Sequence, residues 1–364
     1  MAQSIHEVPS EIRRQLIIRP ANFGLYGNIS GRIVSILRDL FPRVEVYSID
    51  ESFVSFEGIK DREATAREAR ARILQWTGIP CCVGIGSTKT RSKAASKLAK
   101  KVAHGVAELS DLWSQLDSNP VDDVWGVGRR WAAKLGAEGI RTATDLMRAD
   151  PETLLARYGV TLARTQAELL GMPCSDLIET EPDRQQIVCS MSFGREVVEL
   201  DDLSQAVATF AVRACEKLRA RHLQASGVWV WLNTDPFKEG AKQYHPSKAF
   251  NLIAPSSDTR EVLTVAQALT RAMYRKGYRN KKAGVGLLDL THRDAHQYDL
   301  FAQINPRSAK LMAVMDAANR KFGHSTMGIA SAAWGHRGKP QWSMRQENLS
   351  PSYTSRWDQP LRAK

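Results

Sequence analysis

The sequence predicts a multidomain α+β protein. Its 364 residues are enough for two or three domains of ordinary size. Residues 184–294 alternate strand-like and helix-like runs, whereas residues 119–183 carry helix-like runs only. With 43% hydrophobic residues, the chain has the apolar surface for packed cores.

From the N-terminus, Ile29–Leu40 has helical spacing, with Ile29, Ile33, Ile36, Leu37 and Leu40 on one side, and Pro42 stops it. Val44–Phe56 is rich in β-branched and aromatic residues and is expected to be extended. A charged helix is expected over Glu63–Trp76, a short apolar strand over Pro80–Gly86 and a helix over Lys93–Val102. In that last helix Ala95, Leu98, Ala99 and Val102 form the apolar side, opposite Lys93, Lys97, Lys100 and Lys101. Farther on, the order is β-α-β-β-α-β. Strands are expected at Ile187–Val197, Gly227–Asn233, Lys248–Ala254 and Lys282–Leu290, and helices at Leu203–His222 and Thr259–Gly277. That order packs two helices on one face of a four-stranded sheet. The tail from Thr291, rich in Trp, Ser, Arg and Pro, is expected to be irregular.

A net charge of +12 points to a polyanionic partner. The cations cluster. Lys89, Arg91, Lys93, Lys97, Lys100 and Lys101 fall in one acid-free stretch, and Arg271, Arg275, Lys276, Arg279, Lys281 and Lys282 in another, interleaved with Tyr274 and Tyr278. Two clusters, one with aromatics, fit a surface that tracks a nucleic-acid backbone. No apolar run reaches a membrane span and no signal pattern follows Met1, so a soluble intracellular protein with no membrane contact is expected. The five cysteines contain no Cys-x-x-Cys pair, and the eight histidines are scattered. Neither a disulfide framework nor a structural zinc site is expected.

Four motifs carry chemistry. In Tyr47-Ser48-Ile49-Asp50-Glu51-Ser52-Phe53, strand alternation puts Ser48, Asp50 and Ser52 on one face between apolar residues. A carboxylate there is costly unless a cation meets it. Mg²⁺ would satisfy Asp50, with Glu51 beside it if the strand bends. The Asp-Glu dipeptide alone also arises by chance about once in a chain of this size. Gly84-Ile85-Gly86-Ser87-Thr88-Lys89 leads from strand to basic helix and suits phosphate, although a plain tight turn reads the same way. Val124-Trp125-Gly126-Val127-Gly128, followed by Arg129, has the form of a helix-hairpin-helix turn whose amides approach a DNA phosphate. Gln297-Tyr298-Asp299-Leu300-Phe301 either inserts into a partner's pocket or packs on its own domain.

Tyr47 to Glu51, Gly84-Ile85-Gly86 with Thr88-Lys89-Thr90, Val121 to Gly128, and Ser190-Met191-Ser192-Phe193-Gly194 stand in an order and spacing that resemble the Y-family of lesion-bypass DNA polymerases, most of all its UmuC group. The resemblance runs from about Leu25 onward. It implies an incomplete palm with a remnant of the fingers (1–118), an all-α helix-hairpin-helix thumb (119–183), a β-α-β-β-α-β little finger (184–294), and a clamp-binding motif with a UmuC-type C-terminal region (295–364). It also implies error-prone translesion synthesis in the bacterial cytoplasm as part of the SOS response, with two Mg²⁺ ions. Asp50 and Glu51 would be the second and third metal-binding catalytic carboxylates, and Lys89 would contact the incoming dNTP. Gly126, Gly128 and Arg129 would meet the primer-template DNA, as would Arg275, Lys276 and Arg279. Gln297, Leu300 and Phe301 would engage the sliding clamp. A UmuD-type regulatory subunit and the recombinase filament are further implied partners.

One departure stands out. The family opens with a strand bearing its first catalytic Asp, followed by an aromatic pair. Nothing before Asp50 matches, and Asp39 lies in an expected helix. The expectation is an N-terminally truncated chain that is weak or inactive in synthesis. The alternative is a non-catalytic scaffold that binds DNA and clamp and recruits other bypass factors.

Overall fold

The structure, a computed structural model, describes residues 4–5, 7–109, 116–117, 119–180, 184–293, 306–323, 326–332, 340–344 and 348–360. The chain divides into two compact units, residues 1–181 with 348–364, and residues 182–347.

In the first unit, a short helix α1 (Ser10–Gln15) precedes α2 (Phe23–Leu40), which starts earlier than its apolar spacing indicates because Asn22 caps it by accepting from the Leu25 N–H. The stretch expected as one extended run is instead a hairpin. Strands β1 (Val44–Val46) and β2 (Ser52–Val54) pair antiparallel, with Val44 opposite Val54 and Val46 opposite Ser52. Helix α3 (Arg62–Thr77) is capped by Asp61, which accepts from the Ala64 N–H. Strand β3 (Val83–Ile85) pairs in parallel with β4 (Val106–Glu108).

Helix α4 runs over Lys89–Ala99, not Lys93–Val102, because Thr88 caps it by accepting from the Arg91 N–H. Lys100 and Lys101 therefore fall past its end, and Val102 is exposed. The helix lies directly on β3: a Cβ at Gly84 would come within 2.1 Å of the Ser96 backbone nitrogen. A 3-10 turn (Val121–Asp123) follows, then α5 (Arg129–Ala137), α6 (Ala143–Arg148), α7 (Pro151–Tyr158) and α8 (Val160–Leu169). These short helices are defined by their starts. Thr142 and Asp145 form a capping box on α6, and Pro151 opens α7. The Arg141 and Thr142 N–H groups hold the Asp145 carboxyl below the usual carboxylate range. Leu135, Leu146, Leu154, Leu162 and Leu169 close over a shared core.

The second unit follows the order β5 (Gln186–Val197), α9 (Leu200–Arg219), β6 (Leu223–Thr234), β7 (Ser247–Ser256), α10 (Thr259–Met273) and β8 (Asn280–His292). Its sheet has the order β5-β8-β6-β7, antiparallel throughout. Val228, Val230 and Leu232 of β6 and Ala283, Val285 and Leu287 of β8 are buried in one core with the apolar sides of both helices. The Cys215 thiol of α9 lies inside that core, and burial pushes its pKa up to about 12.

The tail is not irregular throughout. Pro306–Phe322 forms α11, with Met312 and Met315 buried and Asp316 accepting twice from Arg219 at 2.6 and 2.7 Å. Trp342 is buried edge-on against Phe210, and its Nε1 donates to Gln205 Oε1 at 2.9 Å. Trp342 has no apolar period around it in the sequence, yet it forms part of the second unit's core.

Candidate active site

Residues Tyr47–Glu51 form the turn between β1 and β2. The Tyr47 and Ser48 N–H groups donate to the Glu51 carbonyl at 3.1 and 3.0 Å. Ser48 Oγ donates to Asp50 Oδ1 at 2.6 Å and accepts from the Asp50 N–H at 3.3 Å. Asp50 is therefore exposed on a turn, and the expected buried strand position is corrected. The cause is local: serine and aspartate side chains bond their own backbone and break the strand.

Three lysines, one helical turn apart on α4, each meet an acid. Lys89 Nζ lies 2.5 Å from Glu45 Oε2, and both side chains are less than a tenth exposed. Lys93 Nζ lies 2.6 Å from Glu51 Oε1, and Lys97 Nζ 2.6 Å from Asp123 Oδ1. Lys89 also donates to the Asp176 carbonyl, while Glu45 accepts from the Ile178 N–H. The start of α4 is fixed by the buried Glu168, whose Oε2 accepts from the Thr90 N–H at 3.0 Å and from Thr90 Oγ1 at 2.5 Å. Lys89, expected to be available to a nucleotide, is thus internally paired. Asp50 is the acid of the turn with no cation partner among the described residues.

The glycine loop sits between the 3-10 turn and α5. Gly126 has φ +91°, in the left-handed region, and a Cβ there would lie 3.1 Å from Thr165 Oγ1. Gly128 has an ordinary extended conformation at the start of α5, with nothing within 4 Å of a Cβ position and no side-chain cap. Arg129 and Arg130 are exposed beside it. An uncapped, open helix start flanked by arginines can receive a phosphate through backbone N–H groups.

Comparison with known proteins gives a consistent answer. Residues 1–97 match the impB/mucB/samB family, residues 184–300 that family's C-terminal domain, and residues 309–362 a domain of unknown function, DUF4113. Protein UmuC of Salmonella typhimurium is 40% identical over 363 residues, covering 97% of this chain and 85% of that protein. This chain belongs to the UmuC group of Y-family DNA polymerases. Protein MucB of Escherichia coli is 38% identical, covering 95% of this chain and 83% of that one. A solved Y-family DNA polymerase chimera, Dbh-Dpo4(243-245)-Dbh, shares the fold with a TM-score of 0.59 at 18% identity, over 74% of this chain and 77% of that one.

In this Y-family chain the second cationic cluster runs from the end of α10 to the start of β8. Arg275 stacks over the Tyr244 ring at 4.7 Å, and Arg279 pairs with Glu196 at 3.3 Å. Lys276 is exposed with no partner among the described residues. Lys238 joins Arg279 on Glu196 and is first among the causes that hold that carboxyl below its usual range. Gln297, Leu300 and Phe301 lie outside the described residues.

Several residues were missed. Glu45 and Glu168 pair only through the folded chain, so no local signal marks them. The lysine stripe expected from the sequence is Lys93, Lys97, Lys100 and Lys101; with the helix beginning at Lys89 it is Lys89, Lys93 and Lys97. On the sheet face away from the helices, Trp229 and Trp231 stack at 4.5 Å and lie over Gly286 and Gly284. The sequence signal was there: Trp-x-Trp in one strand, Gly-x-Gly in its neighbour.

Proposed function

We propose that this chain is a template-directed DNA polymerase of the translesion type, with its chemistry at the Asp50–Glu51 turn. One observation carries the reading: α4 holds the acidic turn and the segment leading to the open glycine loop in one unit, through Lys93–Glu51 and Lys97–Asp123. The partial palm with its remnant of the fingers, the thumb and the little finger are then residues 1–118, 119–183 and 184–294, as the family order implies.

Asp50 and Glu51 fit a Mg²⁺ ion that arrives with substrate phosphates, since such ions are ordinarily held by one or two carboxylates plus phosphate oxygens. They do not fit an ion caged by protein alone, because no group of three or more His, Cys, Asp or Glu among the described residues is placed for one. Held there, the ion would supply charge stabilisation to the attacking hydroxyl and the departing pyrophosphate. The residues do the positioning. Gly126, Gly128 and Arg129 would hold the DNA backbone, Asp50 presents a carboxylate with no cation partner among the described residues, and Lys93 holds the Glu51 carboxylate at 2.6 Å. Lys89 reaches a triphosphate only by leaving Glu45. With two acids and a paired lysine, this chain alone is expected to add nucleotides slowly.

Primer extension with purified chain, Mg²⁺ and dNTPs tests the reading. Slow, template-directed addition supports it. Duplex binding with no addition favours the scaffold alternative. Arg275, Lys276 and Arg279 are expected to contact DNA, so replacing all three should lower the log–log salt slope of binding by about 2–3 units. Leu300→Ala with Phe301→Ala is expected to abolish clamp pull-down and leave DNA affinity unchanged.

A further inference from the structure

Tyr47, Phe53 and Trp125 close a triangle of rings. Tyr47 and Phe53 lie 5.6 Å apart, Tyr47 and Trp125 5.6 Å, and Phe53 and Trp125 5.7 Å, all tilted or edge-on. Trp125 Nε1 donates to the Tyr47 hydroxyl at 3.3 Å. The α4 lysines cover the same rings: Lys93 Nζ is 5.5 Å from the Tyr47 centroid and Lys89 Nζ 5.4 Å from that of Phe53.

The chain positions of these rings matter. Tyr47 is the first residue of the acidic turn, three before Asp50, and Phe53 follows it in β2. Trp125 immediately precedes Gly126, the residue whose positive φ shapes the glycine loop. Trp125 is thus the side chain through which that loop touches the acidic turn. The lysine pairs run alongside but end on separate acids, with Glu51 on the turn and Asp123 before the loop.

We infer that Trp125 is a positioning residue that transmits the seating of DNA on the Gly126–Gly128 loop to the Asp50–Glu51 turn. The inference rests on the proposed reading for its DNA half only; the ring contacts stand in the free protein. Displacing Trp125 removes a ring contact and a hydrogen bond from Tyr47 and a ring contact from Phe53, leaving the turn its two bonds to the Glu51 carbonyl, the Ser48–Asp50 bonds and the Lys93 pair. A phenylalanine at the same place restores the ring contacts and leaves out the hydrogen bond.

Hydrogen exchange of the 47–51 segment separates the two halves. Its reporters are the Tyr47 and Ser48 amides, both bonded to the Glu51 carbonyl. In the full chain without DNA, Trp125→Ala is expected to speed their exchange by about tenfold or more, and Trp125→Phe by about threefold or less. Exchange in the paired strands β3 and β4 of the same unit serves as the control for that unit's stability. Unchanged exchange at 47–51 in Trp125→Ala overturns the inference, as does a rise that Phe fails to rescue. With primer-template duplex added, the wild type is expected to gain protection at 47–51 and Trp125→Ala to lose that gain while still binding DNA. Equal DNA-dependent protection in both overturns the coupling. If the wild type binds no duplex while Trp125→Ala still speeds exchange in the free chain, the polymerase reading and the DNA coupling fail and the positioning role stands.

Discussion

Glu45→Ala is expected to destabilise the first unit by about 3–5 kcal/mol, the range typical of breaking a buried ion pair from one side. Glu45 and Lys89 are both nearly enclosed, at 2.5 Å. Removing the carboxylate leaves an ammonium with the Asp176 carbonyl as its remaining hydrogen-bond acceptor and strands the Ile178 N–H. Glu45→Gln keeps an acceptor for that N–H and should cost less. In a double-mutant cycle, Glu45→Ala with Lys89→Met should lose less than the sum of the two single losses, because the uncompensated charge is gone. Urea unfolding reads all three, as a shifted midpoint at unchanged slope. Losses below about 1 kcal/mol for Glu45→Ala would mean the pair is solvated, as exposed pairs are.

Asp50→Ala is expected to lower nucleotide addition by about 100-fold or more, with duplex affinity changed little. Asp50 is exposed on a turn and supports no core, so the loss should fall on rate and leave stability intact. Glu51→Ala should also slow addition, but it frees Lys93 as well and should loosen the turn. Single-turnover primer extension, run beside thermal melts of each variant, separates lost chemistry from lost fold. An Asp50→Ala enzyme as fast as its parent would move the metal-binding role to another carboxylate.

The second unit was legible because its strands and helices keep their periods. Val228, Val230 and Leu232 alternate cleanly, and α9 places Leu203, Val207, Phe210, Ala214 and Leu218 on one buried face. The acidic motif was legible as a motif and misread as a strand. Val44 and Val46 before it and Val54 and Phe56 after it mimic one continuous alternation, and the run is interrupted by the Ser48–Asp50 hydrogen bonds and by the Tyr47 and Ser48 bonds to the Glu51 carbonyl. The start of α4 was misplaced although Thr88 is a good cap, since the preceding glycines read as a longer turn. What could not be read is pairing across the chain. Glu45 and Lys89 are far apart in sequence, as are Tyr47 and Trp125, and their contacts exist only once α4 is seated on β3. The tail illustrates the same limit: Trp342 is a core residue by virtue of Phe210 and Gln205, not of its neighbours.

Binding of a dideoxy-terminated primer-template, with and without the next complementary dNTP and Mg²⁺, tests the central claim most directly because it needs no turnover. The complementary nucleotide should tighten DNA binding by about fivefold or more, mismatched nucleotides should not, and Asp50→Ala with Glu51→Ala should erase the difference. Tightening that survives in the double variant, or DNA affinity indifferent to every nucleotide, would contradict a nucleotide site at the acidic turn.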